Sequence, residues 1–182
     1  MSRLPLVEVH ELSGYVKELH DGAAAEDWST RHVARVFAAH PGFIEDYLAF
    51  YYPWHSSSAE ASLLPARTKE LVRLRIAVLN GCQTCMAARL AADAIPEDQA
   101  TGVWEDGYDT HADYTEAEQA AMRFAERLAV AHHGIGDEDI AQLRRHFNEA
   151  ETLELMMMAG QYIGFGRVLA VLALETTSCP IP

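Results

Sequence analysis

Cysteine is scarce in this 182-residue chain, with three residues in all. An odd count argues against a scaffold stapled by disulfides. Basic residues are scarce as well: 14 Lys and Arg stand against 27 Asp and Glu, for a formal charge of -13 and a pI near 5.0. Such a chain repels a phosphate backbone, and the richest basic stretch, Arg67 to Arg75, itself carries Glu70, so no nucleic-acid partner is expected. Seven prolines beside 49% hydrophobic residues argue against disorder and for one ordinary domain with a real core. No internal repeat or low-complexity tract occurs. The opening residues MSRLPLVEVH lack an uninterrupted apolar segment and meet Glu8 and Glu11 early, so they do not read as a secretory signal and a cytoplasmic protein is expected.

Strict apolar–polar alternation is also missing, whereas helical spacing is present nearly everywhere, which makes the expected fold all-α. Helices are expected over roughly residues 7–19, from Ser29 or Thr30 to near Pro41, and through Phe43, Tyr47, Leu48 and Tyr51 until Pro53. Ser56 to Ser62 reads as a loop. Pro65 then opens a helix with a stripe of Leu71, Leu74 and Val78, stopped by Asn80-Gly81. A second helix starts at Cys82 and runs toward Ile95-Pro96, a short one follows over 97–104, and Gly107 to Tyr114 is loop-like. Thr115-Glu-Ala-Glu118 has the spacing of a capping box for a helix to about His132. Asp137 caps a helix to Phe147, and a long last helix covers roughly 152–174. That helix is apolar over twenty residues, but Arg167 lies within it, at a cost of about 2.5–3.5 kcal/mol near a bilayer centre. It reads as a helix buried on most sides, as at a subunit interface, with Gly160, Gly164 and Gly166 allowing close approach; no membrane partner is expected.

Two of the three cysteines, Cys82 and Cys85, are three residues apart after the Asn80-Gly81 break. A helix beginning at Cys82 places both sulfurs in its first turn, where free N–H groups and the helix dipole favour thiolate over thiol. Residues at i and i+3 are neighbours, so the pair suits a reversible dithiol. Zinc would need further ligands, but the remaining Cys179 lies in a Pro-flanked tail and no two histidines are four apart. An iron–sulfur cluster lacks a fourth cysteine, and c-type haem attachment would need histidine where Met86 stands. A thioredoxin-like site would follow a strand, not a helix. Two buried structural cysteines are the plain alternative. Glu70 is spaced to pair with Arg67 or Arg73. His132-His133 reads as a helix C-terminus, His111 as a loop residue, and Met156 to Met158 as packing.

The pattern Pro-x-Arg-x-x-Glu-Leu-Val-Arg-Leu-x-x-Ala-x-Leu-Asn-Gly-Cys-x-x-Cys, from Pro65 to Cys85, resembles the core of the carboxymuconolactone decarboxylase and alkylhydroperoxidase-D-like superfamily. The likeness extends to Phe37-Ala-Ala-His-Pro-Gly-Phe43 and to Phe124 through Arg167, about residues 33 to 175. The resemblance implies an all-helical bundle of about seven to eight helices: an N-terminal extension over 1–30, the family domain over 31–176 and a tail over 177–182. It further implies a homo-oligomer (dimer, trimer or hexamer), a peroxide substrate, a separate dithiol reductant, and no cofactor or metal. Carried over, Cys85 is the peroxidatic thiol, Cys82 the resolving thiol and Glu70 the base or relay carboxylate; a helix dipole alone would instead favour Cys82 as the lower-pKa thiol.

The sequence departs from that pattern at the relay histidines. The position four after the second cysteine is Arg89, and the one just before that cysteine is Thr84. Arginine cannot release its proton, but at i+4 it would lie one turn beyond Cys85 and hold its thiolate, leaving protons to Glu70 and water. Two rivals stand beside the peroxidase reading: a decarboxylase-type lyase or hydrolase in which the cysteines are incidental, and a redox sensor that forms the disulfide without turnover.

Overall fold

Ten consecutive residues of one helix, Thr68 to Ala77, are buried, although they include Lys69, Glu70, Arg73 and Arg75. This helix, α4 (Ala66–Leu79), is the axis around which the others are laid. The computed structural model describes residues 2–55, 62–105 and 107–174. Among them it contains nine α-helices and no strand: α1 (Gly14–Gly22), α2 (Trp28–Phe37), α3 (Pro41–His55), α4, α5 (Gln83–Ala87), α6 (Glu97–Gly102), α7 (Glu116–Ala131), α8 (Asp137–Leu143) and α9 (Glu149–Leu172). The fold is all-α, as expected, with nine α-helices among the described residues where about seven to eight were expected, because the chain after the cysteine turn is divided into short helices.

Helices α7 and α9 pack along α4, α1 packs on α2, and α5 is held between α4, α2 and α9. Leu71, Leu74 and Ile76 of α4 meet Ile44 of α3, Met122 of α7, and Leu155 and Met158 of α9 in one core. The stripe expected on α4, with Val72, Ile76 and Leu79 beside it, thus falls mostly within a stretch, Thr68 to Ala77, that is buried on every side. Its charges are each answered. Lys69 bonds Glu154, the Trp54 carbonyl and Ser62, and Arg75 bonds Glu126 and the Val103 carbonyl while lying 4.1 Å over the Tyr108 ring. Buried charges persist only when paired in this way.

Several element boundaries differ from those read in the sequence. The first helix breaks into a 3₁₀ turn (Val9–Glu11) and α1, because Gly14 takes a left-handed φ of 56°. Helix α3 runs through Pro53 to His55 instead of stopping at the proline. The helix expected over 82–95 ends at Ala87. The capping box at Thr115 is formed. A second one, Asn148 with Glu151, opens α9 earlier than expected, and α8 is entered from Gly136, whose N–H is bonded by Asp139 rather than capped by Asp137. The Ser56–Ala61 part of the expected loop, the 177–182 tail and Cys179 lie outside the described residues.

Candidate functional site

Gly81, at a φ of 60°, turns the chain out of α4, and Cys82 follows as the N-cap of α5, its Sγ accepting from the Cys85 N–H at 3.2 Å. The two sulfurs are joined as a disulfide, with Cα atoms 5.2 Å apart. Cys82 is wholly buried. Cys85 lies at the wall of a cavity of about 80 Å³ that Cys82 does not line. Leu48, Val33, Leu90 and Phe165 form its apolar side, and Arg73, Tyr51 and Tyr162 bring polar groups to it. A space that size admits water beside the sulfur, since one water needs about 10–15 Å³.

Across from the sulfur, α9 comes close. A Cβ placed on Gly166 would lie 3.6 Å from Cys85 Sγ and 2.7 Å from Asn80 Nδ2. Here the glycine is required for approach, whereas Gly160 and Gly164 face open space. Asn80 itself donates to the Tyr162 and Ile163 carbonyls and accepts from Arg167, which ties the end of α4 to the middle of α9.

Glu70 lies at the centre of the polar half. Its carboxylate accepts from Arg73 Nε and Nη2, each at 2.7 Å, from the Leu90 N–H at 3.1 Å, and is 2.9 Å from His55 Nε2. Of the two arginines spaced to reach it, Arg73 does so, while Arg67 turns to Glu118 and Gln99. Burial works against the charge, but the Arg73 guanidinium and His55 overcome it and hold the carboxyl well below the usual range. A carboxylate with both oxygens so occupied is a fixed anion, not a base with a lone pair to spare. Arg73 also donates to the Cys85 and Ala88 carbonyls at 2.5 Å each, so the ion pair is tied directly to the cysteine turn.

Arg89 is placed differently from the expectation. Because α5 ends at Ala87 and Ala88 is extended, Arg89 is not one helical turn beyond Cys85. Its guanidinium bonds Glu97 and the Ile95 carbonyl, its Nε is 4.0 Å from Glu70 Oε1, and it does not line the cavity beside Cys85. The i+4 contact with the thiolate is thus absent from this geometry.

Sequence reasoning missed His55 and Tyr162. His55, 0% exposed, is brought by the last turn of α3 and sits with Nδ1 2.7 Å from the Tyr162 hydroxyl and Nε2 on Glu70. Burial lowers the tendency of its imidazole to charge, against the opposing pull of Glu70, and burial raises the Tyr162 hydroxyl well above its usual range. No local signal could have found the pair, since Tyr162 lies 107 residues from His55. Among the described residues no cluster of three His, Cys, Asp or Glu side chains could hold a metal ion. The other flagged histidines lie on the surface: the His132 and His133 rings are adjacent and tilted by 39°, and His111 lies 3.6 Å from Asp113.

Residues 45–101 match the carboxymuconolactone decarboxylase family. No curated protein matches the chain. Among solved structures, the chain is similar to one described as an alkylhydroperoxidase AhpD core, an uncharacterized peroxidase-related protein from Ralstonia eutropha. The TM-score is 0.76 at 20% identity, over 97% of this chain and 93% of that one. An uncharacterized peroxidase-related protein from Silicibacter superposes with a TM-score of 0.67 at 18% identity, over 81% of this chain and 76% of that one. A protein of unknown function from Agrobacterium tumefaciens does so at 0.63 and 22%, over 80% and 96%. The matched segment is similar to the carboxymuconolactone decarboxylase family, and the whole chain shares its fold with the alkylhydroperoxidase AhpD core structure.

Proposed function

We propose that this protein is a cytoplasmic thiol oxidoreductase that reduces hydroperoxides through Cys85 and Cys82. The observation that carries the reading is the asymmetry of the pair: Cys85 opens on the cavity and Cys82 is sealed behind it. In the reduced form the Cys85 thiolate attacks the distal oxygen of a hydroperoxide. The S–O bond forms, the O–O bond breaks, and the alkoxide leaves with a proton as alcohol. Cys82 then attacks the sulfenic sulfur, forming the disulfide and releasing water. A dithiol reductant restores both thiols by two exchanges, becoming a disulfide itself. Glu70 and Arg73 hold the turn that presents the sulfurs, and Arg89 steadies the Glu97 side of that turn.

Intact mass and thiol counting on the reduced protein, with a few equivalents of organic hydroperoxide, test this. Wild type should lose two hydrogens, and Cys82→Ser should stop at a sulfenic acid on Cys85. A pair that oxidises no faster than a free thiol overturns the reading. Turnover of a carbon-centred substrate by the double Cys→Ser variant would move the protein to the lyase or hydrolase chemistry of the family. Disulfide formation without turnover in the presence of a dithiol reductant would make it a sensor.

A further inference from the structure

We infer that Tyr162 and His55, held by Glu70, form the proton relay for Cys85, so that a histidine from a different helix takes the part of the missing neighbours of the Cys-x-x-Cys pair. The inference rests on the thiol reading of Cys85. Glu70 can only accept, so the His55 Nε2 it faces carries the proton, and the neutral ring is left with Nδ1 as an acceptor. The Tyr162 hydroxyl therefore donates to Nδ1 at 2.7 Å. The order is carboxylate, imidazole, hydroxyl, the arrangement by which a buried acid orients a base and stabilises its charged form.

The hydroxyl-bearing residue belongs to the cavity. Tyr162 and Cys85 line the same space, and Gly166, against which the sulfur packs, is four residues after Tyr162 and so on the same face of α9. A proton can cross from Sγ to the Tyr162 oxygen through cavity water. The charged and titratable groups around the relay are Glu70, Arg73 and Lys69 from α4, Tyr51 stacked 5.4 Å from the His55 ring within α3, and Tyr47. Arg73 already neutralises Glu70 by a two-pronged contact. A proton arriving on His55 thus completes a row of alternating charge rather than adding an unpaired one.

The steps balance. The Cys85 thiol proton passes to the Tyr162 oxygen as the Tyr162 proton moves to His55 Nδ1, giving thiolate and imidazolium. The thiolate attacks the peroxide. The departing alkoxide takes a proton from Tyr162, which recovers its own from His55. The net change is thiol plus hydroperoxide to sulfenic acid plus alcohol, with His55, Tyr162 and Glu70 returned to their starting states. Tyr162 is the catalytic member; His55 and Glu70 act through it as positioning residues.

The test follows iodoacetamide alkylation of Cys85 against pH in the reduced protein, beside peroxide consumption, for wild type, Tyr162→Phe and His55→Gln. Phe keeps the ring and Gln keeps a donor toward Glu70, so folded variants are expected, and thermal unfolding checks this. Wild-type alkylation should titrate below the ordinary thiol value of about 8.5. Both variants should move the midpoint upward and slow peroxide reduction by about 100-fold or more, the contribution of a positioned proton-transfer group. Folded variants with the wild-type alkylation profile and rate overturn the relay while leaving the peroxidase reading intact. The expected midpoint shifts in a wild type that consumes no peroxide would support the relay and remove the peroxidase reading.

Discussion

At the residue scale the site is organised by one ion pair. Glu70 and Arg73 are three apart on a helix that carries them fully into the core, and Arg73 spends its other donors on the Cys85 and Ala88 carbonyls. Arg73→Met would leave a buried carboxylate without its cation. Removing one partner of such a pair costs about 3–5 kcal/mol, so the urea midpoint of Arg73→Met should fall sharply. Glu70→Gln keeps the shape and one acceptor oxygen, but it sets an NH2 against the donors that face Glu70 and leaves the buried guanidinium without its anion, so it should cost a similar amount. The pH dependence follows from the two neighbours. The His55 imidazole, held below its usual value by burial, is neutral in the fold where the unfolded chain takes up a proton. The stability it contributes is present above about pH 6.5 and is lost as pH falls below it. Glu70, held low by Arg73 despite burial, contributes stability above about pH 4.3 that is lost as pH falls further. Urea denaturation between pH 7 and 2 should therefore show a first decline below about pH 6.5 that is absent in His55→Gln and a second below about pH 4.3 that remains.

At the element scale the start of α7 was legible, whereas the starts of α1, α8 and α9 and two of the stops were not. Thr115 and Glu118 cap α7 as their spacing requires, and Thr115→Ala should lower stability by about 1 kcal/mol in urea denaturation. Asn80-Gly81 ends α4 as read. The end of α5 has a cause that lies outside the element. Arg73 claims the Cys85 and Ala88 carbonyls, and Glu70 claims the Leu90 N–H, so groups that would continue the helix are bonded to α4 instead. That is why Arg89 leaves the face of Cys85. Likewise, Pro53 reads as a stop, but it lies in the last turn of α3, where losing one N–H donor is tolerable in a helix held by packing. The extra turn carries His55 to Glu70. The glutamate and the cysteines could be recognised because their spacing lies within α4 and its exit. The histidine and tyrosine that complete the site come from α3 and α9 through tertiary packing, which no local period records.

At the scale of the whole molecule, the long last helix is left half covered. Helix α9 is long and apolar enough to cross a membrane by length and composition, yet only 33% of its most apolar window is buried inside the subunit. The exposed remainder is ordered. Leu153, Met157 and Gly160 recur eleven residues on as Gly164, Val168 and Val171, and all six face outward. Eleven residues are three turns at about 3.67 per turn, so the stripe runs nearly straight along the helix. Over eighteen residues it is about 27 Å long. Its apolar members are 49–61% exposed, and the two glycines at its middle open on empty space, which permits close backbone approach. Arg167 beside the stripe is bound to Asn80 and the Ala129 carbonyl, so its charge is held toward the subunit. We propose that a second copy of the chain covers this face, consistent with the oligomer the family resemblance implies. Met157→Glu with Val168→Glu, which touches nothing in the cavity, should lower the sedimentation mass toward that of one 20.2 kDa chain. Gly160→Ala with Gly164→Ala separates helix propensity from association. In a monomer the two changes add about 1 kcal/mol each to the stability of α9. If the glycines lie at the contact, they should instead weaken the oligomer, and a wild type that sediments as a single chain at micromolar concentration would remove the interface.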